Sequence, residues 1–283
     1  MKKFLALSFA ALTALSAASL DEIKKAGVIK IATEGVYKPY SYHDESNALV
    51  GYDVEIARAV AEKIGVKVQF IEAPWDALLA SFDAGKSDAM FNQVTIKDER
   101  KKKYDFSTPY TAVYPAVVVK EDNENIKSKA DVKGKKGASS ATSVYGTTLS
   151  EWGALVQTVS GFNQAVELVL AGRAELLMND DVTFYDFIKN KKVPLKIAFK
   201  GQEPMLSAAI VAKGNTELLS AINAALDELF KDGTIAKNQA QMLKPLLLPL
   251  FELDRLRALL DSALRSLLAL LFLARQAQAH LLC

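Results

Sequence analysis

Between residues 28 and 91 the hydrophobic period switches repeatedly between that of a strand and that of a helix, and this alternation restricts the fold more than any other feature. Residues 28–33 (VIKIAT) form a short β-branched run and read as a strand. The run ends in Glu34-Gly35-Val36-Tyr37-Lys38-Pro39-Tyr40, a loop with two tyrosines around a proline. Turn residues in 47–53 (NALVGYD) precede a helical stretch, 54–64, in which Val54, Ile56, Ala57, Val60, Ala61 and Ile64 recur at helical spacing before the stop at Gly65. Residues 66–71 (VKVQFI) alternate as a second strand. Pro74-Trp75-Asp76 opens the next helix, 77–84, with Asp76 as its expected cap, and 88–91 lead into a third strand. Strand, loop, helix, strand, helix, strand means βαβ units and a parallel sheet. Ligands of such sheets sit at the carboxyl ends of the strands. Tyr37, Trp75 and residues 92–100 lie just past those ends, so three distant segments are expected on one rim.

The pattern then restarts. Residues 114–120 (YPAVVVK) form a strand, a polar stretch follows, and 137–140 end another short strand. Ala141-Thr142-Ser143 opens a helix, 162–170 form a helix closed by Gly172, and 174–178 form a strand ending at Asn179-Asp180-Asp181. Strands at 195–199 and 206–212 precede a clear amphipathic helix, 218–231, with Leu218, Ile222, Ala225, Leu226 and Leu229 on its apolar face. These elements predict two α/β lobes, the second inserted into the first: 20–112 with 205–244 in lobe one, and 113–204 in lobe two. Two extended segments near 112–118 and 204–210 cross between them. A double crossing is a hinge geometry, and it places the site in the cleft between the lobes.

Within the rim, the stretch FNQVTIKDERKKKYDF (91–106) carries the most chemistry. Arg100 is one of three arginines in the first 237 residues, against 27 lysines, which points to a need for a planar two-pronged donor. The competing reading is that RKKK is a solvated face. Rim placement favours the ligand role for Arg100 and leaves Lys101, Lys102 and Lys103 as surface.

Composition excludes several classes. The chain has 283 residues, is 50% hydrophobic and 24% charged, and so holds enough apolar material for real cores. The N-terminus (MKKFLALSFAALTALSAAS) has two lysines, a short apolar run and then small residues, and reads as a signal peptide over 1–19. Removing its two lysines takes the formal charge from +2 to 0, so no nucleic acid partner is implied. The single cysteine is Cys283, and no cysteine near the cleavage point offers a lipid anchor. A periplasmic location is expected. With only His43 and His280, no histidine-based metal site or catalytic triad is expected, and no cofactor.

GYDVEIARAVAEKIG resembles the signature segment of the polar amino-acid-binding proteins of ABC importers, the family 3 solute-binding proteins. VYKPYSY, EAPWDALLASFDAGKSDAM, NQVTIKDERKKKYDFSTPY, SATSVYG, ELVLAGRAELLMND and LFKDGTIAK agree with it in order, over about 20–237. Within the family, FNQV with the KKKYDFSTPY run, and SATSVYG, look most like the cystine- or cysteine-binding branch. The resemblance implies the two-lobe periplasmic-binding-protein fold (type II), a small amino acid as ligand and the membrane permease of an ABC importer as partner. It implies that Arg100 and the backbone N–H groups of Thr95 and Thr142 hold the ligand's α-carboxylate. Asp180 would hold the α-ammonium, Tyr37 and Trp75 would cover the side chain, and Asn92 and Gln93 would add small polar contacts. The chemistry agrees with these roles: arginine offers a bidentate fork, and Thr142 and Ser143 open a helix, where free N–H groups favour an anion. Asp180 has an alternative as a helix cap, and Asp181 could fill either role. Tyr37 and Trp75 have an alternative as core. Lys97 stands where relatives carry a small hydroxyl residue.

A transport function implies no catalytic residues and no enzyme activity. The alternatives are a cyclohexadienyl- or arogenate-dehydratase-like enzyme on the same fold, and a ligand-binding sensor or adhesin. The enzyme needs a positioned acid or base, for which Glu34 is the candidate; its ordinary reading is a contact to the ligand ammonium.

After Lys237 the chain changes character. Seventeen of the last 46 residues are leucine, and 27 lysines with 3 arginines before give way to 1 lysine with 4 arginines after. Residues 245–283 are expected to form an atypical leucine-rich helical tail of separate origin. Leu253, Leu256, Leu260, Leu264, Leu267 and Leu271 recur at helical spacing, and Pro245 and Pro249 keep that helix from starting earlier.

Overall fold

The computed structural model describes residues 18–247. The expected signal peptide (1–19) and leucine-rich tail (245–283) therefore lie outside the described residues, apart from 18–19 and 245–247.

Lobe one begins with α1 (Leu20–Ala26), which periodicity did not reveal; Ser19 and Glu22 close it with a reciprocal capping box. It continues through β1 (Val28–Thr33), β2 (Val36–Tyr37), β3 (Ser41–His43), β4 (Leu49–Val50), α2 (Tyr52–Ile64), β5 (Lys67–Glu72) and α3 (Trp75–Asp83). β6 (Ala89–Thr95), α4 (Asp98–Lys101), β7 (Tyr104–Phe106) and β8 (Thr111–Val113) follow. Lobe two runs through β9 (Pro115–Lys120), β10 (Lys136–Ser139), α5 (Val144–Glu151), β11 (Leu155–Thr158), α6 (Phe162–Leu170), β12 (Leu176–Asp180), α7 (Asp181–Lys191) and β13 (Leu195–Lys200). The chain then returns to lobe one as β14 (Met205–Ala212), α8 (Thr216–Lys231) and α9 (Thr234–Leu247).

The lobe-one sheet has the order β5-β1-β6-β14-β7, with β8 also on β14. β1 pairs in parallel with β5 and β6, as βαβ connections require, whereas β14 is antiparallel to its neighbours. The lobe-two sheet repeats the plan in the order β11-β10-β12-β9-β13, with β9 antiparallel to β12 and β13. Each sheet is covered on both faces, which explains why β9 and β14 are mostly apolar and buried along their length. On lobe one, α2, α8 and α9 bury Ile56, Val60, Leu218, Leu226 and Met242 on one side, and α3 buries Leu78 and Phe82 on the other. On lobe two, α6 and α7 contribute Val166, Val169 and Phe184 to one face, and α5 contributes Leu149 to the other.

The crossing strands lie where the sequence puts them. β8 pairs with the start of β14 (Met205 opposite Val113), and the chain changes lobe at Tyr114 and again after Lys200. Gly201 N–H donates to Pro115 O at 2.7 Å, and Asp181 N–H to Tyr114 O at 2.9 Å, tying the two crossings to lobe two. α9 lies against α2 and α8 and also against α7 of lobe two. It runs past Lys237 and contains Pro245, so the expected division at 244/245 falls inside a helix.

Candidate ligand-binding cleft

Gly51 starts the construction of the site. Its φ is 125°, and a Cβ there would stand 2.3 Å from Tyr40 O, so only glycine lets the 39–40 backbone close on the start of α2. Tyr52 and Asp53 N–H groups then donate to Pro39 O and Tyr40 O, and Asp53 is delivered fully buried beneath β6. There it accepts from Gln93 N–H and Nε2 and from Tyr110 Oη, each at 2.9 Å. Burial nevertheless pushes its pKa up to about 7.

This carboxylate braces a break in β6. The β6–β14 ladder pairs Met90 with Ile210 and Val94 with Ala208, so Phe91, Asn92 and Gln93 stand opposite the single residue Ala209. Gln93 takes φ 49°, a left-handed conformation uncommon for a residue with a side chain. Bulges of this kind re-aim side chains beside binding sites. Asn92, almost fully buried, receives Glu34 N–H (2.7 Å) and Thr33 Oγ1 (3.1 Å) on its Oδ1 and donates Nδ2 to Glu34 Oε2 (2.7 Å). Its role is thus to hold Glu34. Desolvation raises the Glu34 pKa to about 7, although the Asn92 amide and the Trp75 backbone pull it down. The other oxygen of Glu34 faces lobe two: a Cβ on Gly161 would lie 3.7 Å from Oε1.

Past the end of β6, α4 presents Arg100. Lys97 precedes it at the helix N-cap in extended conformation and makes no capping bond. Arg100 donates Nη1 to Thr95 O (3.1 Å) and Nη2 to Thr142 O across the cleft (3.0 Å), and its guanidinium lies over the Trp75 ring at 5.3 Å. Burial lowers its pKa from the usual guanidinium value, yet it remains protonated at neutral pH. Among the described residues no carboxylate forms an ion pair with it. Lys101 and Lys103 instead pair with Asp98 and Asp83 at the surface, as a solvated face should.

Glu34, Tyr37, Trp75, Asn92, Gln93, Thr95 and Arg100 of lobe one and Ser143 of lobe two all line one cavity, which encloses about 440 Å³ including its open side. A second recess, about 240 Å³ including its open side, adjoins it in lobe two beside Ser139, Ser140 and Phe162. Eight of the ten expected site residues therefore meet in one place. Trp75 Nε1 and Gln93 Oε1 are buried there without hydrogen-bond partners in the protein.

The other two, Asp180 and Thr142, lie outside the wall. Asp180 does not line the cavity. It is the N-cap of α7, and its oxygens accept from Thr183 N–H (2.7 Å) and Oγ1 (2.9 Å), and from Tyr37 Oη (2.6 Å) and Tyr40 Oη (2.9 Å). The cap reading, open in the sequence, is the one adopted. Asp181 goes to the hinge, where it accepts from Tyr114 N–H and pairs with Lys200. Thr142 also lies outside the cavity wall; α5 begins later, at Val144, with Ser143 as its cap. The Thr142 N–H, expected to face the ligand, is taken by Asp76 at 3.0 Å. Asp76 is thus no helix cap: Pro74 occupies that position, and no side chain caps α3.

Sequence reasoning also missed Ser140, Val144, Tyr145, Gly161, Phe162 and Asn179 in the wall. Gly161 and Phe162 follow β11, an edge strand too exposed and short (LVQT) to show a strand period. Recognising β11 would have placed Phe162 just past a parallel strand end.

A family model for bacterial extracellular solute-binding proteins, family 3, matches residues 29–245. The chain belongs to that family. This family 3 protein is 40% identical over 251 residues to the L-cystine-binding protein TcyA of Bacillus subtilis (strain 168), covering 83% of this chain and 92% of the relative. It is 37% identical over 226 residues to the L-cystine-binding protein TcyJ of Escherichia coli (strain K12), covering 76% and 82%. An ancestral arginine-binding protein bound to glutamine matches it with a TM-score of 0.73 at 35% identity, over 76% of this chain and 97% of that one. The family 3 protein shares its fold of two α/β lobes with that structure.

Proposed function

We propose that this chain captures a free amino acid, with cystine favoured over cysteine and other polar amino acids, by closing its lobes, and delivers it to the permease of an ABC importer outside the cytoplasmic membrane. Arg100 is the observation that carries the reading. It is a partly buried, permanently charged fork in the cavity wall, without an ion-pair partner among the described residues, and an α-carboxylate is the small group that matches it. Glu34 supplies the complementary acceptor for an α-ammonium from the same wall, in place of Asp180. The L-cystine-binding relatives are what favours cystine. Ligand bridging the lobes favours the closed state by its differential affinity for it.

A thermal-shift screen of the mature protein with the twenty amino acids and cystine tests this reading. A clear upward shift with cystine is expected; no shift with any of them would refute amino-acid capture. One observation favours a second reading. Glu34, with a pKa near 7 beside a cavity, has the properties of a general acid, so a dehydratase activity remains the competing class. Product release from prephenate or arogenate would establish it, and none is expected.

A further inference from the structure

Asp76 is the second residue of α3 in lobe one, yet its carboxylate is spent entirely on lobe two. Oδ2 accepts from Ala141 N–H at 3.1 Å, and Oδ1 accepts from Thr142 N–H at 3.0 Å and Thr142 Oγ1 at 2.6 Å. Two successive backbone N–H groups in the loop before α5 thus converge on one anion supplied by the other lobe. The same loop is held on its opposite side, because Arg100 Nη2 donates to Thr142 O. Lobe one therefore grips Thr142 by its N–H and by its C=O. Asp76, Ala141 and Thr142 lie outside the cavity wall, whereas Arg100, which holds the loop from its other side, belongs to it. No lysine or arginine among the described residues forms an ion pair with Asp76.

We propose that Asp76 is the latch that sets the closed population of the cleft, and through it the affinity for every ligand alike. The three hydrogen bonds exist only while the lobes meet, and hydrogen bonds to a charged acceptor are among the stronger ones. Apparent affinity scales with the fraction of molecules in the competent state, so weakening the latch multiplies all dissociation constants by one factor. Asp76 is a positioning residue in this scheme, since it lies outside the cavity wall. The reading rests on the proposed lobe closure, and not on which amino acid is bound.

The test combines calorimetry with inter-lobe distances from spin labels at Lys86 and Lys133, in the full chain and in Asp76→Ala, Asp76→Asn and Thr142→Val. Asp76→Ala is expected to raise the Kd of each bound amino acid about tenfold with their ranking unchanged, and to lengthen the ligand-free distance. Thr142→Val loses only the hydroxyl bond and should shift both readouts in the same direction by less. Unchanged distances and Kd values in Asp76→Ala would overturn the proposal, and so would a change confined to one ligand. If the wild-type chain binds no amino acid, the functional reading fails, while the ligand-free distance in Asp76→Ala still decides the latch.

Discussion

Tyr37 Oη stands 2.6 Å from Asp180 Oδ2, joining a rim tyrosine of lobe one to the helix cap of α7 in lobe two. The same hydroxyl lies 2.6 Å from Asn179 Oδ1, and Tyr40 Oη meets the other Asp180 oxygen. Asp180 is fully buried, and burial raises its pKa while the hydroxyl donors and the Thr183 N–H pull it down. Tyr37→Phe should therefore weaken ligand binding by about 1–3 kcal/mol, because a buried carboxylate loses a donor across the cleft. Tyr40→Phe should act similarly although Tyr40 is absent from the cavity wall. Calorimetry with the preferred amino acid checks both, and full affinity in both variants would show that the bridge is incidental.

Arg100→Ala should cost roughly 2–5 kcal/mol of binding, as when a buried charge pair loses one partner. Arg100→Lys should recover only part of that, because an ammonium cannot present the planar fork. Equal affinity for wild type and Arg100→Ala would remove the carboxylate assignment.

Glu34 gives a dependence on pH with opposite signs for folding and for binding. Its folded pKa, about 7, stands above the ordinary value of 4.5, so between those pH values the folded chain holds more protons than the unfolded one. Stability of the ligand-free protein is thus highest on the acid side and falls as pH rises from about 4.5 to 7. Asp53, raised from 3.8 to about 7, pushes the same way. Ligand binding runs in reverse. An ammonium needs the ionised carboxylate, so affinity should rise between pH 5.5 and 7.5, by about tenfold per unit at most. Glu34→Gln should flatten this profile and weaken binding at pH 7.5. Calorimetry and urea melts across the range check both halves.

Asp53→Ala leaves Gln93 N–H, Gln93 Nε2 and Tyr110 Oη without their shared acceptor in the interior. A loss of about 2–4 kcal/mol in urea unfolding is expected, since each stranded buried donor carries a desolvation penalty. Binding should weaken as well, because Gln93 would relax from its left-handed conformation.

Truncation after Leu247 should leave affinity unchanged, because among the described residues those lining the cavity all lie at or before Asn179, and α9 is kept through Leu247. The same truncation should reduce self-association, since it removes most of the leucine-rich stretch. Sedimentation velocity with paired calorimetry tests this; a large loss of affinity would contradict it.

How much of this the residues disclosed depends on what kind of signal held each part in place. β1, α2, β5, β6, α6 and α8 were legible because a period of two or of a helix turn is written locally. Arg100 was legible for a different reason, as the rare cation just beyond a strand end. The bonds of Asp76 and Asp180 were not legible, because both reach across the cleft, between segments more than sixty residues apart, where no periodicity reaches. The break in β6 was also invisible: FNQV satisfies a strand pattern, and only pairing with Ala209 shows that three residues share one place in the ladder.

That break has a consequence for how the protein can change over generations. Ladder positions such as Met90 and Val94 are constrained by partners on a neighbouring strand, so a substitution there disturbs the sheet. Asn92 and Gln93 are held by individual side chains, Asp53 among them, while the ladder resumes on either side. Selection can therefore exchange these two residues and their braces pairwise, reshaping the cavity wall without re-registering a single strand.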